Sequence, residues 1–368
     1  MFEPNQCPRL VVKIGSSLLV SDEGRIRREW LSSLVGEVAE RQSNGQKIIL
    51  VSSGAIALGA RLLGLERGGR KSLDDAQASA AAGQIALSQC WAELLNGHGI
   101  KAAQMLVTLG DLEDRRSYLN AAATLDRLLR LGAIPLINEN DSVATEEIRF
   151  GDNDRLAARV GQAARADGII LLSDVAGLYS ADPKNSEDAE LVRTVEHLDD
   201  EIVAMAQGTS GMGSGGMKSK IEAARIATTA GIPLAIISGQ HQAPLSQFAD
   251  TGTGTIFTAE AGSSAREAWM AGRLTAAGKV VVDPGAVAAL RDGNSLLAAG
   301  VIGVEGSFDR GDIVDIVDES SSLIARGLVE YASEAVDRIM GHKSADLESI
   351  LDYAPRPALV HRNHMVLL

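Results

Sequence analysis

Residues 10–17 read LVVKIGSS, an apolar run that takes in Lys13, ends at Ile14 and gives way at once to a glycine and two hydroxyls. A short apolar run closed by a turn signal predicts a strand buried on both faces. The same pattern returns four times, in KIILVSS from Lys47, AIPLIN from Ala133, GIILLS from Gly168 and IPLAIIS from Ile232. Between these runs lie helical patterns over 28–41, 74–95, 118–131, 154–166 and 217–230. Strand and helix in alternation predict right-handed βαβ units: an α/β fold with a mainly parallel open sheet between helix layers. Ligands on such sheets sit at the carboxyl ends of the strands, where the glycine turns fall.

The pattern changes after about Gly262. SSAREAWMAGRL reads as a linking stretch, and KVVVDPGAVAAL, GSFDRGDIVDIVD and 323–329 read as short strands and turns, with RPALVHRNHMVLL as a closing strand pair. At 368 residues the chain exceeds the size at which one core usually keeps growing. The expected division is 1–262 for the α/β domain, 263–277 for a linker and 278–368 for a small, mostly β domain.

Composition narrows the function. Hydrophobic residues make up 45% and charged residues 23%, the balance of a globular protein. A net charge of −13 argues against a nucleic-acid partner, since such surfaces cluster Lys and Arg. An anionic substrate therefore needs a local cationic site. The two cysteines, Cys7 and Cys90, form no CxxC pair, and no histidines stand at metal-ligand spacing, so neither a disulfide scaffold nor a metal site is expected. The start, MFEPNQCPRL, lacks the basic end and apolar run of a signal peptide, and no stretch has membrane-spanning length; a cytoplasmic protein is expected.

Several segments carry chemistry. In VKIGSS, glycine lets backbone amides approach phosphate oxygens and Lys13 supplies a point charge. VSSGAI repeats the arrangement at Ser53, Gly54 and Ala55. Asn138-Glu139-Asn140-Asp141 and Asp152-Asn153-Asp154 gather carboxylates and amides that suit an α-ammonium group, although an Asp or Asn at a helix start also serves as a cap. The segment from Ser173 and Asp174 to Asp182-Pro183 can hold a base and ribose, and turn chemistry explains it nearly as well.

The most informative segment is GTSGMGSGGMKSK, 208–220. It contains a formal GxGxxG at Gly211, Gly213 and Gly216, but an acidic helix-like stretch precedes it where a Rossmann motif needs a strand. Met217 separates Gly216 from Lys218, which breaks the Walker pattern as well. A helix start with two lysines in its first turn remains, and free amides there favour phosphate.

Taken together, VVKIGSS, VSSGAIALG, LINENDSV, FGDNDRL, LLSDVAGLYSADP and GSGGMKSK resemble the amino acid kinase family, and within it the members that phosphorylate glutamate. VDPGAVAAL, GNSLLAAGV, GSFDRGDIV and GHKSADLESILDY resemble a PUA domain. The resemblance implies phosphoryl transfer from ATP, with Mg2+, to the γ-carboxylate of L-glutamate, the first step of proline biosynthesis. It makes Lys13, Lys220 and Asp154 the catalytic set and Ser53, Gly54, Ala55, Asn138, Asp141, Asp152 and Asn153 the glutamate site. Lys13, Gly15, Ser173 and Asp174, with the run Ser214, Gly215, Gly216, Met217, Lys218, Ser219 and Lys220, become the nucleotide site. Whether Lys218 shares the role of Lys220 stays open. The resemblance also implies proline as inhibitor, a homodimer or homotetramer, and functional coupling to a glutamyl phosphate reductase.

Two competing readings remain, another small carboxylate or carbamate kinase and a PUA-based RNA-binding protein. Residues 278–368 carry eight Lys and Arg against fourteen Asp and Glu, a net charge of −6 that disfavours phosphate-backbone binding. A regulatory or assembly role is the expectation for that region.

Overall fold

The computed structural model describes residues 2–21, 23–143, 152–183, 186, 188–207, 214–259, 276–356 and 358–368. The chain divides into two compact units, 1–261 and 262–368. The segment expected to link them, 263–277, falls almost wholly outside the described residues. Among those residues no helix is long and apolar enough to cross a membrane.

The first unit is built on eight strands: β1 (Arg9–Ile14), β2 (Lys47–Ser52), β3 (Ala102–Val107), β4 (Ile134–Glu139), β5 (Gly168–Ser173), β6 (Thr194–Val195), β7 (Leu234–Ser238) and β8 (Thr255–Phe257). Their order is β3-β4-β2-β1-β5-β7-β8-β6. The stretch from β3 to β7 is parallel, β8 runs antiparallel to β7, and β6 pairs parallel with β8. The mainly parallel open sheet expected from the alternation is therefore present, with β1 near its centre between β2 and β5.

Each central strand feeds two cores, because successive side chains point to opposite faces. Val11, Ile49, Val51, Ile169 and Leu171 pack on one side with helices Arg115–Arg130, Asp152–Ala164 and Ser214–Thr229. Leu10, Val12, Ile48, Leu50, Ile170 and Leu172 pack on the other with helices Arg28–Ser43, Leu73–Gly97 and Pro244–Thr251. In-register pairing of Ile14 with Ser52 and Leu172, and of Val51 with Ile137, brings the ends of β1, β2, β4 and β5 to one edge.

One helix contact is set by glycines. Helix Ala55–Leu62 lies so close to helix Leu73–Gly97 that a Cβ on Gly59 would fall 1.7 Å from the Ser79 carbonyl oxygen, and one on Gly83 would fall 1.8 Å from that of Ala55. Both obstacles are backbone, so no rotamer change relieves them. Gly83→Ala is expected to cost about 3 kcal/mol and lower the thermal midpoint by roughly 6–12 °C. A midpoint within about 2 °C of the parent in a fluorimetric melt would contradict this contact.

The second unit is a sheet of β9 (Gly278–Val282), β10 (Val301–Gly306), β11 (Ile313–Val317), β12 (Leu323–Val329) and β13 (Val360–Leu367), ordered β10-β9-β11-β12-β13. It has its own core around Val280, Val282, Val314, Ile316 and Val360. Two expectations are corrected here. DPGAVAALR, read among strands and turns, is the helix Pro284–Arg291, started by Pro284 and capped by Asp283, whose Oδ1 accepts from the Ala286 amide at 2.6 Å. The tail is a single strand, β13, rather than a strand pair; its apolar residues pair with β12, and Val360 bridges Leu296.

Candidate active site

Alternation along β1 places Lys13 on the same face as Val11, the face covered by helices Asp152–Ala164 and Ser214–Thr229. Asp154, in the first turn of the former, is 0% exposed. Its Oδ1 meets Lys13 Nζ at 2.5 Å and its Oδ2 meets Lys220 Nζ at 3.0 Å. Ser219 Oγ donates to Oδ2 at 2.8 Å, and Lys220 Nζ also reaches the Gly216 carbonyl oxygen at 3.3 Å. The chain thus brings two ammonium groups, from positions 13 and 220, and the Ser219 hydroxyl onto the single carboxylate of Asp154.

The electrostatics follow from burial and neighbours. Burial alone would raise the Asp154 carboxyl, but the fields of Lys13 and Lys220 and the bonds from Lys13 and Ser219 outweigh it and hold it well below the ordinary carboxylate range. Burial pulls the Lys13 ammonium below its ordinary value; Asp154 opposes that fall and Lys220 adds to it. Two ammonium groups on one carboxylate leave a surplus positive charge in a dry place. Such a centre is completed by an anion.

Beside it runs a chain of amides. Asn153, next to Asp154 on the helix, donates from Nδ2 to Ser53 Oγ and to Asn138 Oδ1, both at 3.1 Å. Asn138, at the end of β4, donates from Nδ2 to Gln84 Oε1 at 2.7 Å and accepts the Glu139 backbone amide at 2.9 Å. Asn153 Oδ1 is buried and has no hydrogen-bond partner among the described residues. Ser53 and Gly54 lead into helix Ala55–Leu62; Gly54 adopts φ 103°, and a Cβ on it would sit 3.1 Å from Val20 Cγ2. A side chain there is excluded twice over, by backbone conformation and by space. Free amides at a helix start favour an anion such as a carboxylate.

Asp141 follows β4 in a turn, and its carboxylate acts on Arg70, a residue that sequence patterns left unremarked. The Asp152 side chain lies outside the described residues, as do residues 208–213. Gln84 was also illegible, being one amide inside an alanine-rich helix. The only local hint is its place beside Gly83, where helices approach closely.

On the expected nucleotide side, Gly15 follows β1 and donates its amide to Leu172 O at 3.3 Å. Ser173, buried at the end of β5, bonds Asp174 Oδ1 at 3.1 Å, and Asp174 is exposed. Ser214, Gly215 and Gly216 open helix Ser214–Thr229. Met217 packs into the core, and Ser219 is engaged by Asp154. Lys218 is exposed and stands apart from the Asp154 cluster, whereas Lys220 is 8% exposed within it. Lys218→Met is therefore expected to lower turnover at least tenfold less than Lys220→Met in matched assays. Equal losses would assign the two lysines one role.

Comparison with known proteins finds relatives of both units. A model of the amino acid kinase family matches residues 8–238, and a model of the PUA domain matches residues 278–351. A protein from Zymomonas mobilis named glutamate 5-kinase is 60% identical, across all of this chain and 93% of its own length. Proteins of the same name from Sphingopyxis alaskensis and Novosphingobium aromaticivorans are 61% and 56% identical, each across all of this chain and covering 100% and 98% of their own lengths.

Proposed function

This chain belongs to the amino acid kinase family, and on that premise we infer that it phosphorylates L-glutamate from ATP, giving ADP and L-glutamyl 5-phosphate, the first step of proline biosynthesis. The observation that carries the mechanism is the pair Lys13 and Lys220 held on the Asp154 carboxylate.

A γ-carboxylate is ionised near neutral pH and attacks phosphorus directly, so no general base is required. The bond formed joins a carboxylate oxygen to the γ-phosphorus, and the bond broken releases ADP. The obstacle is repulsion between two anions brought into line. Lys13 and Lys220 counter it by offering cationic donors to the oxygens that carry charge in the transition state. Asp154 exchanges no proton; held ionised, it fixes the two ammonium groups in place so that they need not reorganise during transfer. Ser53, Gly54, Ala55, Asn138, Asp141 and Asn153 are assigned to glutamate, with the Asp141 carboxylate and the Asn153 carbonyl suited to its α-ammonium.

Among the described residues no group of three or more His, Cys, Asp or Glu is placed to hold a metal ion. Magnesium is assigned to the substrate, on the phosphate oxygens of ATP. Family resemblance supports inhibition by proline at or over the glutamate site, a homodimer or homotetramer, a cytoplasmic location and delivery of product to a glutamyl phosphate reductase. The acidic 278–368 region is assigned a regulatory or assembly role.

Trapping the acyl phosphate with hydroxylamine tests the reaction. With ATP and magnesium, L-glutamate is expected to yield a γ-hydroxamate. A signal from N-acetylglutamate or aspartate, with none from L-glutamate, would overturn the assignment.

A further inference from the structure

Gln84 takes no part in the reaction described above, yet it ends the amide chain that leads to the substrate site. It lies on helix Leu73–Gly97, is 9% exposed, and accepts Asn138 Nδ2 on its Oε1 at 2.7 Å. The polarity of the whole chain is read at Asn138, which the Glu139 amide and Gln84 hold between them. The Glu139 backbone N–H can only donate, so the Asn138 atom facing it, at 2.9 Å, is the oxygen Oδ1. Asn138 Nδ2 must then face Gln84, which must present Oε1. For the same reason Asn153 must turn Nδ2 toward Asn138 Oδ1 and Ser53 Oγ. Its own oxygen is left buried and unpartnered among the described residues.

An unpaired buried acceptor is costly unless a ligand satisfies it. We propose that Gln84 is a positioning residue for glutamate, holding Asn138 so that Asn153 presents Oδ1 rather than Nδ2 to the substrate's α-ammonium group. This rests on the glutamate assignment above. Gln84 touches no substrate; it acts through two amides, and a donor in place of Asn153 Oδ1 would repel the ammonium it now receives.

Replacement at constant length tests the idea. Gln84→Met removes the acceptor and is expected to raise KM for glutamate about tenfold, while kcat and KM for ATP stay within about threefold. Gln84→Glu keeps an acceptor for Asn138 Nδ2 and is expected to hold KM for glutamate within about threefold of the parent. A loss spread equally over both substrates, an unchanged glutamate KM in Gln84→Met, or a tenfold rise in Gln84→Glu would each overturn the proposal. If Gln84→Met melts below the assay temperature, Gln84→Glu alone decides. Failure of the glutamate assignment itself reads differently, as a parent enzyme that forms no γ-hydroxamate from L-glutamate.

Discussion

Lys220→Ala is expected to lower the rate of γ-hydroxamate formation by about 10²–10³-fold while the protein still folds. The two halves of that expectation come from the same geometry. Lys220 Nζ sits 3.0 Å from Asp154 Oδ2 at the start of helix Ser214–Thr229, where free amides already favour phosphate. Removing it takes away the surplus charge of the cluster and a donor that acts when charge builds on the transferred group. The fold survives because Asp154 keeps Lys13 at 2.5 Å and Ser219 at 2.8 Å, so no charge is left unpaired. The loss should appear in kcat more than in KM for glutamate, since the glutamate contacts lie on the amide side of Asp154. A variant with full turnover would remove Lys220 from the chemistry, and one that fails to fold would make it a structural residue first.

The legibility of this protein in its sequence follows burial. β1, β2, β4, β5 and β7 are covered on both faces, so each left an unbroken apolar run that could be read directly. β3 is the edge strand of the same sheet, with Gln104 and Leu106 exposed, and its AAQMLV carries no such run. β6 and β8 span two and three residues, below the length at which periodicity has meaning. Helix Ala55–Leu62 is short and carries Gly59, which weakens its helical pattern and serves to let the helix approach Ser79.

The site divides in the same way. Lys13 was a weak signal that gained from the other segments, and the lysines of 218–220 were readable as an anion site at a glycine-rich helix start. Which lysine of the helix turns inward was not readable. Residues two apart on a helix point to different sides, so Lys218 and Lys220 face different surroundings, but sequence does not say which faces the sheet. Asp152 and Asn153 had an ordinary alternative as helix caps, and what sets Asp154 apart beside them is its two ammonium partners. Gln84 had no local signature beyond its place beside Gly83, because its meaning comes from Asn138, far away in the chain.

Asp154→Asn is expected to be the more damaging substitution, because it leaves two buried cations facing each other. Lys13 and Lys220 are 5% and 8% exposed, and the carboxylate between them is the charge that makes their burial tolerable. Stranding buried charge in this way costs about 3–5 kcal/mol. The sign of the pH dependence agrees. The folded-state carboxyl of Asp154 is depressed, so its contribution is fully present above the ordinary aspartate range and fades as pH falls from that range through the lower folded value. The amide variant lacks that contribution at neutral pH, and its melting midpoint should therefore lie well below the parent's at pH 7 and approach it in acid. An anion should substitute in part for the missing carboxylate: ATP with magnesium binds only the folded form and brings negative charge to the same ammonium groups. The midpoint of Asp154→Asn should thus rise more on adding the nucleotide than the parent's does, even though turnover stays low because the lysines are no longer pinned. Equal shifts in the two proteins would mean that the phosphate binds away from Lys13 and Lys220, and the charge-completion account of this site would fall with it.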